Sequence, residues 1–131
     1  MRLFELTEKF GDKSELQLEL DDFADQVKAR NGLKQFWVFD SGNGVIELSM
    51  ILVDKDKQKQ GAGSGAMRDL CEYADDRGLI IKLIPGVKDT GHGTSSRSRL
   101  IKFYKRFGFV ENKGRNMDYA IGAGRMIRYP Q

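Results

Sequence analysis

The sequence predicts an α/β domain in which flanking helices pack on a mixed central sheet, and three observations lead there. Apolar residues recur every second position in some segments and every third or fourth in others, so strands and helices both occur. A strand–helix–strand run at 45–84 implies a crossover with parallel strands. The 131 residues suit one compact domain, 1–131, with a core but little room for a second unit.

Residues 2–6 read as a short strand. From Ser14 the signals mix: Leu16, Leu18 and Leu20 alternate, while Leu16, Leu20, Phe23, Ala24 and Val27 form a helical stripe. Ser14 with Gln17 resembles a capping box and Asn31-Gly32 a helix stop, which favours helix, above all over 21–30. Gln35–Phe39 and Val45–Val53 flank the cluster Asp40-Ser41-Gly42-Asn43-Gly44, an antiparallel hairpin. The tetrad Met50–Val53 is wholly apolar, which predicts that this end of the strand is covered on both faces. Gly61–Gly65 then leads into an amphipathic helix with Ala66, Met67, Leu70, Cys71 and Ala74, closed by Arg77-Gly78. Leu79–Ile84 reads as a buried strand halted at Pro85-Gly86, followed by a polar loop over 86–94 that could serve as a lid. Ser95 or Ser96 can cap a helix bearing Leu100, Ile101, Phe103, Tyr104 and Phe107, ended by Gly108. Phe109-Val110 resumes a strand, and 117–121 with 125–129 form an expected closing pair around Gly122-Ala123-Gly124.

Several function classes drop out. No apolar run is long enough to span a bilayer, and the start turns acidic at Glu5 before a signal sequence could form, so a cytoplasmic protein is expected. The lone cysteine, Cys71, shares the apolar stripe of its helix and reads as a buried thiol rather than a nucleophile. With a single histidine, His92, and no clustered ligands, metal chemistry is not expected. Bases gather at Lys55, Lys57 and Lys59 and again at Arg97, Arg99, Lys102, Lys105 and Arg106, either as solvated faces or as receivers for a polyanion. A nucleic-acid module is the third-ranked reading, because 19 acidic residues nearly balance 22 basic ones.

The chemistry concentrates at Gln58-Lys59-Gln60-Gly61-Ala62-Gly63. Glycines let backbone approach a ligand, and successive N–H groups at a helix N-terminus attract anions such as a diphosphate. The turn is neither a Walker A loop nor a dinucleotide fingerprint, since no Gly-Lys-Ser/Thr follows and several residues separate Val53 from Gly61.

Gln58-x-x-Gly61-x-Gly63, followed by Leu100-Ile101-Lys102-Phe103-Tyr104 and Phe107-Gly108-Phe109, resembles the GNAT family of acyl-CoA N-acyltransferases, best over 45–112. The stretch from Phe107 to Gly114 and on to Pro130 also looks like small GNAT-like domains of bacteriophages and mobile elements; the location would then be the host cytoplasm. The resemblance implies the GNAT fold and acetyl-CoA as co-substrate. It places the pyrophosphate on amides of Gln58, Lys59, Gln60, Gly61, Ala62, Gly63 and Ser64, and the pantetheine arm along Ile51, Leu52 and Val53. It implies Tyr104 as the acid that protonates the leaving thiolate and Glu47 as a base acting through water; each could instead be an ordinary packing or strand residue. A free N–H near Val53 would receive the thioester oxygen. Arg97 stands where many relatives carry asparagine, so Ser96 or Ser98 could take the pantetheine contact, or Arg97 could reach a CoA phosphate. The short N-terminal part leaves an acceptor site that is shallow or completed by a partner chain, as in a homodimer. The acceptor is an unidentified amine, of a small molecule or a protein. The runner-up reading is a CoA-binding or structural module without catalysis.

Overall fold

The computed structural model describes residues 14–53, 61–85, 97–122 and 124–131, without the side chains of Arg97 and Asn116. The strand expected at 2–6 and the loop at 86–94 lie outside these residues.

Helix α1 (Glu15–Asn31) opens where the sequence places its cap: the Gln17 amide donates to Ser14 Oγ at 3.0 Å. The reciprocal half of a capping box does not form. The Gln17 side chain instead serves the first strand, donating to Val38 O and accepting from the Asp40 amide at 2.7 Å. Gly32 ends the helix at φ 67, in the left-handed region glycine tolerates.

Strands β1 (Leu33–Gly42) and β2 (Val45–Val53) form the hairpin. Its turn is tighter than expected: Asp40–Gly42 stay in β1, and Asn43 (φ 55) and Gly44 (φ 76) alone reverse the chain. Helix α2 (Ala62–Arg77) crosses over to β3 (Ile80–Leu83), which runs parallel to β2 as the crossover requires. Helix α3 (Arg97–Lys105), β4 (Val110–Glu111) and β5 (Met126–Arg128) complete the described elements, in a sheet of order β1-β2-β3-β5-β4.

One face of the sheet is the core face. It carries Phe36 and Val38 of β1, Ile46 and Leu48 of β2, Ile81 and Leu83 of β3, and Met126 of β5, all buried. Leu20, Ala24 and Val27 of α1 and Ala66, Met67, Leu70 and Ala74 of α2 close over it. The two helices meet through the stacked rings of Phe23 and Tyr73, 4.2 Å between centroids, and at Gly65, where an added Cβ would collide with the Asn31 amide.

Three expectations need correction. The end of β2 is not covered on both faces: Met50 is 37% exposed and Ile51–Val53 are only half-buried, because β3 has already stopped. Ile84, expected within a buried strand, lies beyond β3 and is 43% exposed. Nor does 117–121 pair with 125–129. Buried Asn112 holds that segment as a loop, donating to Asp118 O (3.0 Å) and Gly122 O (2.6 Å) and accepting from the Asp118 amide (2.7 Å). With its polar groups satisfied this way the segment gains nothing from a ladder. β5 pairs with β3 and β4 instead.

The C-terminal strand is fastened by Arg128, only 4% exposed. Its guanidinium holds both Asp75 carboxylate oxygens, at 2.7 and 3.0 Å, and its Nε donates to Phe107 O at 2.6 Å. The Gln131 amide adds a further bond to Asp75 Oδ1, and Gly108 (φ 95) leaves the room that the Gln131 and Arg128 side chains occupy. Hydrogen bonding from Arg128 holds the Asp75 carboxyl below its usual value against a smaller opposing effect of burial.

Candidate active site

β2 and β3 are paired only from Val45↔Ile80 to Leu48↔Leu83. Beyond that point β2 runs on from Ser49 to Val53, and among the described residues nothing pairs with its β3-side edge. Its other edge remains on β1, through Met50↔Trp37, Ile51↔Phe36 and Leu52↔Gln35. The register slips by one between Trp37 and Val38, so Ser49 is an extra residue on β2, a β-bulge at the mouth of the gap.

The bulge has a packing reason. Ile46 and Leu48 point to the core at even numbers, whereas Ile51 and Val53 pack against it at odd ones. A regular strand cannot serve both sets, because its side chains alternate strictly. One inserted residue changes the phase, and local twist at a bulge helps carry β2 away from β3. The backbone irregularity thus sits four residues before Val53, where the family resemblance had suggested a free N–H.

The gap leads to the N-terminus of α2. Gly61 caps it at φ 77 with open space around its Cα, no side chain among the described residues caps the helix, and no acidic residue occupies its first turn. The first intrahelical bond is from the Gly65 amide to Gly61 O at 2.9 Å, which leaves the amides of Ala62, Gly63 and Ser64 pointing out of the helix end. Such an end draws anions. Gln58, Lys59, Gln60 and Ser96 and the side chain of Arg97 lie outside the described residues.

Helix α3 is seated against the same end. The Phe103 ring tip would lie 3.8 Å from a Cβ on Gly63, and Arg106 Nη2 lies 3.4 Å from Ser64 Oγ. The start of α2 at Gly63 and Ser64 and the 100–109 block therefore meet in space. Tyr104, one residue on, is 7% exposed and wedged edge-on against Phe103 and Phe109. Burial pushes its phenol up to about 12, and among the described residues its hydroxyl has no hydrogen-bond partner.

Glu47 lies on the face of the sheet opposite the core, directly across from Phe39 on β1 and Lys82 on β3. Its Oε2 is 3.2 Å from Arg125 Nη1 and its Oε1 is 3.9 Å from Lys82 Nζ. The sequence reading missed both cations. Lys82 was legible as the one charge inside Leu79–Ile84; Arg125, separated from Glu47 by 78 residues, was not.

Cys71 is buried, with Sγ 3.9 Å from Phe107 O. Desolvation pushes its thiol up to about 11, against a smaller pull from Arg128 and with a push from Asp75, so it stays protonated and unreactive. A cleft of about 700 Å³ is lined by Cys71 together with Arg68, Glu72, Asp76 and Lys105.

Parted parallel strands that open onto an uncapped helix end define a class of α/β protein that admits an extended, phosphate-bearing ligand. The acetyltransferase (GNAT) family model matches residues 7–109, and the chain belongs to that family, whose members transfer acyl groups from acyl-CoA. Comparison with curated proteins returned no match. Among the described residues no helix is long and apolar enough to cross a membrane.

Proposed function

We propose that this chain is an N-acyltransferase that moves an acetyl group from acetyl-CoA to an amine by direct attack, in the cytoplasm. One observation carries the reading: β2 continues past its parallel partner from Ser49 to Val53, with an edge unpaired among the described residues, on the strand that leads to the N-terminus of α2. The edge suits the amide-bearing arm of CoA, with Leu52 and Val53 as its contacts. The amides from Gln58 to Ser64 suit its diphosphate, and Ser96 and Arg97 take contacts further along the cofactor. Acetyl-CoA supplies the activated thioester and leaves as CoA thiol; the protein's residues bind it, aim it and move protons.

Tyr104 is the acid of this scheme. A phenol at about 12 gives its proton to an ordinary thiolate only uphill. The same core, however, raises the Cys71 thiol to about 11, chiefly by desolvation. A CoA thiolate buried beside Tyr104 is raised in the same way, and the pair comes close to matched. Glu47 is the base that relieves the incoming ammonium of its proton through water.

A second reading, a CoA-binding module without catalysis, has its own support: Glu47 is engaged by Arg125 and Lys82, so a base must be released from them before it acts. Calorimetry with CoA, then thiol release from acetyl-CoA across an amine panel, separates the two. Catalysis predicts that Glu47→Gln lowers turnover by about 10²-fold or more and alters its pH profile, while CoA still binds. CoA heat without thiol release for any amine favours the module. No CoA heat from folded protein sinks both.

A further inference from the structure

On the basis of the acyltransferase reading, we propose that the acceptor is an amine with a carboxylate next to the nitrogen and an apolar body, as in an aromatic α-amino acid, and that Arg125 is the residue that selects it. The argument starts from the face of the sheet opposite the core. Glu47, Lys82 and Ile127 form a row across β2, β3 and β5, and Arg125, two residues before Ile127, reaches back along that row. Leu83 pairs with Met126, so Arg125 stands level with the end of β3, where the strands part. A thioester lying in the gap would therefore present its carbonyl beside these groups.

The charges at this point do not suit a simple cationic amine. Glu47 meets two cations within 4 Å, and Asp118 takes the Ala120 amide and lines a groove toward the hairpin end with Val45 and Ile80. Among the described residues at the mouth of the gap, the balance is one negative charge against two positive ones. An acceptor with only an ammonium group would add a third. An acceptor with its own carboxylate adds no net charge as it arrives, and it leaves the mouth neutral once its nitrogen has lost a proton for attack.

Arg125 has the means to hold that carboxylate. Its Nη1 is engaged by Glu47, and its side chain is 27% exposed. Among the described residues, Nε and Nη2 have no partner, and they form one edge of the guanidinium fork, the geometry that takes a carboxylate through two parallel bonds. Beside it stands an apolar wall: Phe39, directly across from Glu47, and Trp37, directly across from Met50, are 45% and 47% exposed. Side chains of this size seldom stand half-bare in neighbouring register positions unless something covers them.

The test is calorimetry on the full chain. CoA is titrated first; the CoA-loaded protein then receives N-acetyl-L-phenylalanine or N-acetyl-2-phenylethylamine, products alike except for the carboxylate. The anionic compound should bind about tenfold tighter or more, the range of a charge-assisted pair. Arg125→Gln should bring the two within about twofold, and Arg125→Lys should keep part of the difference, with CoA affinity unchanged in both variants. Equal binding of the two products, a preference that survives Arg125→Gln, or binding of neither product by CoA-loaded protein overturns the inference. Absence of CoA heat instead fails the acyltransferase reading beneath it.

Discussion

Two regions of this sheet are built on opposite principles. At the C-terminal strand, side chains saturate one another: Arg128 takes both oxygens of Asp75 and the Phe107 carbonyl, and the Gln131 amide joins them. At the mouth between β2 and β3, the described backbone is left unsaturated, along an unpaired strand edge and at a helix end without a cap. Unsatisfied backbone is tolerated where water or a ligand can reach it. The contrast separates the part of the molecule that fixes the fold from the part that receives something.

Arg128→Met gives the most severe break in that contrast. It leaves Asp75 and the Phe107 carbonyl without their donor, and a loss of about 3 kcal/mol is expected, as for other buried pairs broken on one side. Urea unfolding measures it, and CoA affinity at a temperature where the variant is folded should be unchanged. A loss under about 1 kcal/mol would mean that the lock is ornamental.

Asp75→Asn probes the same lock through pH. The Asp75 pKa is lowered in the folded state, chiefly by its Arg128 hydrogen bonds. Its contribution is therefore full above the unfolded value, near 3.9, and is lost as pH falls through the lower folded value. Wild type should exceed Asp75→Asn by about 1 kcal/mol at pH 7, discounted for partial exposure, and the two should converge below about pH 4. A gap in stability that does not narrow on acidification contradicts the assignment.

The smallest effects should come from the open end. Gly63 lies inside α2, where an added Cβ would make ordinary contact with Phe103, so Gly63→Ala should stabilise by about 0.5 kcal/mol or slightly more. Gly61→Ala meets no atom within 4 Å but must hold φ at 77, and should cost about 1 kcal/mol while weakening CoA. Thermal melts with and without CoA compare them. If both alanines behave alike, backbone conformation is not what reserves position 61 for glycine.

What could be read in advance follows the range of each interaction. The α1 cap and stop, the hairpin and the parallel crossover depend on neighbours in sequence, and Ser14, Gly32 and the Asn43-Gly44 pair announced them. The bulge was legible too, since Ile46 and Leu48 are out of phase with Ile51 and Val53, but that shift was passed over as one apolar tetrad. The 117–121 loop misled because its strand-like pattern is overruled by one amide, Asn112. Arg128 with Asp75 and Arg125 with Glu47 join residues 53 and 78 apart, and no local pattern encodes them. For the site, the glycine turn and Tyr104 were visible as a motif pair, whereas the cations that surround Glu47 belong to the tertiary structure alone.

Trp37 is the only tryptophan in the chain, and it stands on the face of the sheet opposite the core, where the acceptor is proposed to bind. Its fluorescence is therefore a native optical reporter of occupancy there. Unfolding moves an indole that is already half in water only modestly, whereas a molecule settling over it removes that water and shifts emission to the blue. Titrations on that face can be followed with no label attached.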